Sequence, residues 1–221
     1  YKRGHCAFIA EKYPEAKTFF LKLEQEPESD YNAPGRYALG YMCYTEKDFQ
    51  KAESWFKLSV KDPRFKDISE FYIVDCEFMN GNYAYAISEG ERIYPDSPEE
   101  RKPHLARIIS ESYLVKGNSS KAFEFYGKGA MSVEDVTRSD YFYAGTVLYE
   151  VEDYAGAIEN YLKMTNRSDS LGQVANYHLA NSYIKTKNKV AAMGAFKDAS
   201  LAGYDSTIAE DAFFNYAKLA F

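Results

Sequence analysis

The chain has 221 residues, enough for one or two ordinary domains, and 46% of them are apolar, which is typical of a folded protein rather than a disordered one. Its net charge of −6, from 27 Lys and Arg against 33 Asp and Glu, argues against a nucleic-acid-binding protein, which carries a basic excess. No apolar stretch is long enough to predict a membrane-spanning helix. The three cysteines, without CxxC spacing, do not indicate a disulfide framework.

A spaced pattern of small and aromatic residues recurs along the chain. In its clearest copy, Gly40 is followed by Phe49 nine residues later, by Ala52 twelve residues later and by Phe56 sixteen residues later. We call the residue equivalent to Gly40 the anchor of its copy. The anchors lie 34 to 37 residues apart, at Gly4, Gly40, Val74, Ser110, Gly145, Ala180 and Ala217.

The repeated residues predict two packed helices in each copy. The position twelve residues after the anchor is Ala in all six copies that reach it, and the position sixteen residues after it is aromatic in five of the six. Small side chains at the anchor and at the alanine let two helix backbones approach closely, and the aromatic ring fills the space beside their crossing. The first helix of each copy therefore carries the anchor, and the second carries the alanine and the ring.

The order and bounds of the helices follow from the spacing of this repeat and from the turn and helix-start residues between helices. Gly81-Asn82, Gly117-Asn118 and Asp153 predict a tight turn followed by a helix start. None of the seven prolines falls in a predicted helix interior. First helices are predicted near 1–11, 34–46, 67–80, 103–116, 139–151, 172–187 and 207–221, and second helices near 14–25, 49–61, 83–94, 119–130, 154–165 and 189–201. Both chain ends fall inside predicted helices, so we expect an excised or processed piece of a longer chain.

This pattern resembles the tetratricopeptide repeat (TPR), a helix–turn–helix unit of about 34 residues, and the resemblance covers the whole chain. It implies an all-α fold: a right-handed superhelical solenoid of about six TPR-like helix–turn–helix repeats plus a final single helix. Because each repeat packs on its neighbours, we expect a single domain. Its repeats are predicted near 1–30, 31–65, 66–100, 101–136, 137–170 and 171–206, with a partial repeat at 207–221.

The chain shows no motif for catalysis, cofactor binding or metal binding. His5, His104 and His178 lack a second ligand at metal-binding spacing, and no phosphate-binding or nucleophile motif is present. We therefore expect a protein that is not an enzyme and has no cofactor. The cysteines lie in the middle of first helices, where a small apolar packing role is expected. They are predicted to be free thiols: Cys6, Cys43 and Cys76.

The TPR resemblance implies a binding surface on the concave face, which first helices line in that family. The groove positions lie three residues before, one after and four after each anchor from Gly40 onward. They carry many aromatic rings and charges of both signs. They are Tyr37, Tyr41, Tyr44, Phe71, Asp75, Phe78, Arg107, Glu111, Leu114, Phe142, Thr146, Tyr149, Tyr177, Asn181, Ile184, Phe214, Lys218 and Phe221. The sequence leaves open, for each ring, whether it faces a ligand or only packs against the next repeat.

The predicted function is a non-catalytic scaffold that binds a protein or peptide in this aromatic-rich groove, with Asp75, Arg107, Glu111 and Lys218 setting register. The alternative is a glycan- or peptidoglycan-binding module in which exposed tyrosines stack on sugar rings. Some TPR proteins hold a C-terminal carboxylate with Lys and Asn on first helices. Asn181 stands at such an Asn position, as does Asn215, but Tyr177 replaces the expected Lys. We therefore expect no C-terminal carboxylate ligand.

Two stretches near the end, "NYHLANSYIKTKNKVAAMGAFKDAS" and "EDAFFNYAKLAF", are similar to long TPR proteins of Bacteroidetes. Those proteins resemble the Tol–Pal coordinator and outer-membrane assembly type. The resemblance implies a location in the periplasm or cell envelope.

Overall fold

The predicted helices are present at their expected places. The computed structural model describes residues 1–132, 136–164 and 168–221, which contain helices and no strand. The helices are α1 Lys2–Ile9, α2 Tyr13–Leu23, α3 Asn32–Thr45, α4 Phe49–Ser59, α5 Lys66–Met79, α6 Tyr83–Ile93, α7 Lys102–Val115, α8 Ser119–Phe125, α9 Arg138–Glu150, α10 Tyr154–Lys163, α11 Ser170–Lys185, α12 Lys189–Leu201 and α13 Ser206–Ala220. In the described residues no helix is both long and apolar enough to cross a membrane.

One predicted helix is shorter than expected. The second helix of the fourth copy, predicted over 119–130, ends at Phe125 and continues as a π-helical turn, Tyr126–Ala130. Gly129 in that turn has a φ of 101°, which a regular helix does not allow. The sequence pattern misses this break because the apolar spacing continues through it. The last residue of the predicted helix 154–165 lies outside the described residues.

The chain divides into two compact units, Tyr1–Ser112 (unit 1) and Tyr113–Phe221 (unit 2). In unit 1, helices pack in the pairs α1–α2, α3–α4 and α5–α6, and each pair also packs on the next one. In unit 2, α9 packs on α10, α11 packs on α12, and α13 packs on both α12 and α11. Within each unit the helix pairs are stacked in chain order. The single domain inferred from the repeats stays a prediction.

The helix crossings have the predicted close contacts. The alanine of every complete copy has no exposed surface: Ala16, Ala52, Ala86, Ala122, Ala157 and Ala192. A Cβ added at Gly40 would lie 2.8 Å from Cε1 of Phe56, and one at Gly145 would lie 2.7 Å from Cε1 of Tyr161. Both distances are far inside van der Waals contact, so these two crossings require glycine at the anchor.

The third and fourth copies depart from the pattern. The third has Gly90 at the aromatic position, and an added Cβ there would lie 2.8 Å from Cγ1 of Ile109 on α7. Ile109 thus packs directly against Gly90, where no side chain could be added without displacing it. In the fourth copy, Tyr126 stands at the aromatic position but is half-buried, whereas its neighbour Phe125 is only 3% exposed. The ring predicted to fill that crossing is therefore not the most buried one.

The same turn joins the two helices of every complete copy. Seven residues after the anchor, one residue adopts a positive φ between 57° and 82°: Glu11, Lys47, Gly81, Gly117, Glu152 and Lys187. In the fourth copy, Gly117 N–H donates to Leu114 O and Asn118 N–H donates to Tyr113 O, both at 2.9 Å, which is the Schellman helix end. Asn118 Oδ1 then caps α8 by accepting from Lys121 N–H at 3.1 Å.

The cysteines are free thiols, as predicted. Cys43 and Cys76 are buried, which agrees with a packing role. Cys6 is exposed, so the packing role predicted for it is wrong. The reason is that α1 buries the side that carries Gly4 and Ala7, and Cys6 lies across the helix from Gly4.

Replacing two glycines of unit 2 by alanine should change the free energy of unfolding in opposite directions. Neither added Cβ meets an atom within 4 Å, so packing is not involved. Gly117→Ala should lower the free energy of unfolding by about 1 kcal/mol, because φ there is 77°. Gly194→Ala, inside α12, should raise it by about 0.5–1 kcal/mol through helix propensity. Urea unfolding followed by circular dichroism measures both, and effects of equal sign would contradict the assigned turn.

Candidate functional site

Three tyrosines lie one turn apart on α3, and we call Tyr37, Tyr41 and Tyr44 the α3 tyrosine row. All three are half-buried. The ring centroid of Tyr72, on the next first helix, lies 6.2, 6.0 and 5.1 Å from theirs, respectively. Tyr72 also stacks on Phe56 at 4.9 Å with an 8° angle between the ring planes. The row is therefore held from one side by a residue that the sequence pattern did not single out.

Each tyrosine of the row also contacts a second ring. The ring centroids of Tyr37 and Phe65 are 5.5 Å apart, and those of Tyr44 and Phe49 are 5.6 Å apart. Tyr41 lies edge-on to Phe8 of α1 at 5.8 Å. Part of each of the three rings is therefore buried by packing between successive repeats, which is the alternative that the sequence left open. Only the part of each side chain that stays exposed can meet a ligand.

A short hydrogen bond links the row to α5. The Tyr44 hydroxyl donates to Asp75 Oδ2 at 2.5 Å, and Asp75 is only 7% exposed. Burial raises the pKa of the Asp75 carboxyl, while the Tyr44 hydrogen bond and the charges of Arg107 and His104 partly oppose that rise. Burial and the neighbouring Asp75 charge raise the pKa of the Tyr44 hydroxyl. Asp75 is thus an interior acceptor that joins two repeats.

The other groove positions of unit 1 differ in exposure. Phe71 is 9% exposed and Glu111 is 8% exposed, so little of either side chain can reach a partner. Phe78 and Arg107 are half-buried. The Phe78 ring lies edge-on to Tyr83 at 5.9 Å, which fixes its orientation against the second helix of its own copy. Partner contact by these residues stays a prediction, and it is strongest for the half-buried ones.

Unit 2 has a more open set of first-helix side chains. Phe142, Thr146 and Tyr149 on α9 are half-buried, as are Tyr177 and Asn181 on α11. Ile184, one turn further along α11, is 38% exposed.

Ring packing in unit 2 fixes the orientation of Tyr149. Its ring packs edge-on against Tyr154 at 5.6 Å and against His178 at 5.2 Å. The His178 ring packs within the interior of unit 2, and this burial lowers the pKa of its imidazole. The imidazole is therefore neutral near pH 7.

The residues at the carboxylate-clamp positions are engaged in hydrogen bonds to Asp211 and to the backbone of α11. Tyr177 donates from its hydroxyl to Asp211 Oδ2 at 2.5 Å. Asn215 Nδ2 donates to the backbone oxygen and to Oδ2 of Asp211, at 2.9 and 3.0 Å. Asn181 Nδ2 donates to the Tyr177 backbone oxygen at 3.1 Å. The amide donors are thus engaged, and a carboxylate lies where a clamp needs positive charge. This arrangement supports the expectation that no C-terminal carboxylate binds here.

The described residues hold no group of three or more His, Cys, Asp or Glu side chains arranged to bind a metal ion.

The Tyr44–Asp75 pair should show its role through stability. Tyr44→Phe should lower the free energy of unfolding at pH 7 by about 1–3 kcal/mol, because a buried carboxylate loses its donor. Asp75→Asn should keep the hydrogen bond and remove the buried charge.

The raised pKa of Asp75 also fixes the sign of a pH effect. A raised pKa in the folded state contributes stability that is complete below about 3.8 and is lost as the pH rises through the folded value. The stability of Asp75→Asn relative to the unsubstituted protein should therefore increase with pH in that window. Urea unfolding between pH 4 and 8 measures it, and a difference that stays constant or falls would contradict the assignment.

Comparison with known proteins identifies the fold. No protein-family model matches the chain, and no curated protein gives a significant match. Among solved structures, one similar chain is YrrB, a TPR protein with an unusual peptide-binding site, at a TM-score of 0.67 and 13% identity over 88% of this chain and 97% of that one.

Two further similar structures are bacterial. A tetratricopeptide repeat protein from Parabacteroides merdae matches at a TM-score of 0.62 and 12% identity, over 100% of this chain and 91% of that one. The C-terminal part of a TPR repeat-containing protein from Cytophaga hutchinsonii matches at 0.60 and 14% identity, over 99% and 94%. Identities this low show the fold alone: the chain has the all-α helical-repeat fold of TPR proteins.

Proposed function

We propose that the chain is a non-catalytic scaffold that binds a protein or peptide along the first helices of its repeats. The observation that carries the proposal is the exposure of neighbouring first-helix side chains in unit 2. Tyr177, Asn181 and Ile184 follow one another along one side of α11, and each leaves part of its side chain in solvent. YrrB, which shares the fold, has an unusual peptide-binding site, and this supports the same use of the fold here.

The charges of unit 2 favour a basic or donor-rich partner segment. Tyr177 points its hydroxyl at Asp211, and Asn181 uses its amide donor within its own helix. The polar atoms that remain available to a partner here are acceptor oxygens, including those of the exposed Asp211 carboxylate. The chain as a whole carries a net charge of −6, which speeds encounter with a positively charged partner at low ionic strength.

In unit 1 the proposal separates two roles among the predicted residues. The half-buried Tyr37, Tyr41, Phe78 and Arg107 would contact a partner directly. The buried Phe71, Asp75 and Glu111 would hold those side chains in place. Tyr44 belongs to both groups through its bond to Asp75. A row whose rings are already packed loses little side-chain entropy on binding, which favours affinity.

The glycan alternative lacks a contact that favours it. Sugar stacking uses an open aromatic face. Each ring of the α3 tyrosine row already contacts Tyr72 and a second ring, so no ring of the row is free of aromatic packing. The scaffold is therefore the function that we propose, and calorimetry with peptidoglycan fragments would detect heat only for the alternative.

Two glutamate substitutions in unit 2 separate groove binding from general surface effects. Ile184→Glu on α11 should weaken binding of the partner at least about tenfold, since it introduces a charge into an apolar contact. Val190→Glu, at a 79% exposed position near the start of α12, should leave affinity unchanged. The partner is first captured from native cells and identified, and then titrated by calorimetry. Equal affinity of both variants, with unchanged helicity, would contradict the groove.

We further propose that the protein resides in the periplasm or cell envelope. The support is the sequence resemblance of residues 176–200 and 210–221 to cell-envelope TPR proteins of Bacteroidetes. Fractionation of native cells, followed by detection with an antibody, should place the protein in the periplasmic or envelope fraction. Recovery with the cytoplasmic marker enzymes would contradict this location.

A further inference from the structure

A polar crevice lies beside the α11–α12 pair of unit 2. It has a volume of about 440 Å³ and is lined by Ser168, Asn176, Asp198, Leu201, Ala202 and Tyr204. The Tyr204 hydroxyl donates to the Ser168 backbone oxygen at 2.7 Å, which fixes the position of the Tyr204 ring. Leu201 is 73% exposed and Tyr204 is 58% exposed, so the crevice is open to solvent.

Two acceptor groups of the crevice are not paired. Asn176 is 4% exposed, and its Oδ1 is buried without a hydrogen bond. The Asp198 carboxylate is exposed, and no basic side chain of the described residues pairs with it. A buried amide oxygen without a donor costs free energy, and a donor that enters the crevice would recover it. Rotation about the Cβ–Cγ bond exchanges the oxygen and nitrogen of Asn176, so the oxygen can turn toward such a donor.

The equivalent place in the third copy holds an arginine. Asn176 lies four residues before the anchor of its copy, Ala180, and Asp198 lies eighteen residues after it. In the third copy these two positions are Glu70 and Arg92. A guanidinium nitrogen of Arg92 lies 3.2 Å from Oε1 of Glu70. The third copy thus supplies both the acceptor and the cation from its own chain.

Two further copies repeat this arrangement with other residues. In the fifth copy, Nζ of Lys163 lies over the Tyr141 ring, 5.9 Å from its centroid. In the second copy the basic residue is Arg36, at the position of Asn176, and it donates to the two carboxylate oxygens of Glu28 at 2.7 and 2.8 Å. The sixth copy has acceptors at this place but no basic residue at either position.

The crevice is a feature of the repeat itself. The second copy packs on α2 before it and on α5 after it. It nevertheless has a crevice of about 420 Å³ at the same place, lined by Arg36, Leu58, Lys61 and Asp62 among others. Helix pairs on both sides therefore leave this place open.

We propose that the crevice of the sixth copy binds an arginine side chain of a partner segment. The guanidinium takes the place that Arg92 has in the third copy. It pairs with Asp198 and donates to the Asn176 oxygen, because its fork of N–H groups reaches two acceptors at once. The Tyr204 ring stabilises the cation, and Leu201 packs on its methylene groups. None of the lining residues is a groove position, so this site is additional to the proposed groove and does not rest on it.

Titration of the 221-residue chain with the peptide acetyl-Gly-Arg-Gly-amide, followed by NMR, tests the site. Saturable shifts of the Asn176 side-chain amide are expected, with a dissociation constant of about 1 mM for a single bound side chain. The same peptide with Gln in place of Arg should give no saturable shift, because it lacks the charge. The peptide with Lys should bind about threefold or more weakly, because an ammonium lacks the planar fork. Equal binding of either peptide would contradict a guanidinium site.

Substitutions at position 198 test the ion pair. Asp198→Asn should weaken binding of the Arg peptide about tenfold. Asp198→Arg supplies the cation from the chain itself, as Arg92 does in the third copy, so it should abolish binding and raise the unfolding temperature. Glu210→Arg is the matched control, because it makes the same change of charge at an exposed position of α13 outside the crevice. It should leave the dissociation constant unchanged.

Circular dichroism verifies that each variant stays helical, and Asp198→Asn, the milder change, carries the test if Asp198→Arg does not fold. No saturable binding of the Arg peptide, an unchanged dissociation constant in Asp198→Asn, or an equal loss in Glu210→Arg would each overturn the proposal. Because the peptide probes the crevice alone, its failure to bind leaves the groove tested separately by Ile184→Glu.

Discussion

The close crossing of two helices at small residues is the contact on which the rest of the structure depends. It is repeated with an alanine that has no exposed surface in every complete copy, and in two copies an added Cβ at the anchor would collide with a ring. Because the crossing fixes the distance and angle within a helix pair, it also fixes which side of the first helix faces outward. The tyrosine row on α3 and the open side chains of α11 owe their positions to it.

Much of the fold could be predicted from the sequence because the crossing imposes a strict spacing. The small anchor, the alanine and the ring recur in register, so the helices and their order follow from local pattern. The π-helical turn Tyr126–Ala130 could not be predicted in this way, since glycine, the residue type at the non-helical position 129, also occurs inside regular helices elsewhere in the chain. The positive φ at Lys47 and Lys187 was also hidden, because packing and capping impose it against residue preference.

The candidate site was less predictable than the fold. Periodicity shows which side of a helix is buried within its own pair, but the exposure of the other sides depends on the next pair. Tyr72 is an example: it covers three predicted groove residues although its position relative to the anchor carries no repeated signal. Asp75 is another, since a carboxylate expected at the surface proves to be an interior acceptor for Tyr44. Both belong to contacts between copies, which no single copy encodes.

The contact between Ile109 and Gly90 has a consequence for how repeats of this chain can be exchanged. In the second and fifth copies the ring that contacts the anchor glycine belongs to the same copy. At Gly90 of the third copy the close contact comes instead from Ile109 on α7, in the fourth copy. Moved without its neighbour, the third copy would lose this contact, and a ring at position 90 would collide with Ile109. An engineered exchange of repeats therefore has to move the third and fourth copies together.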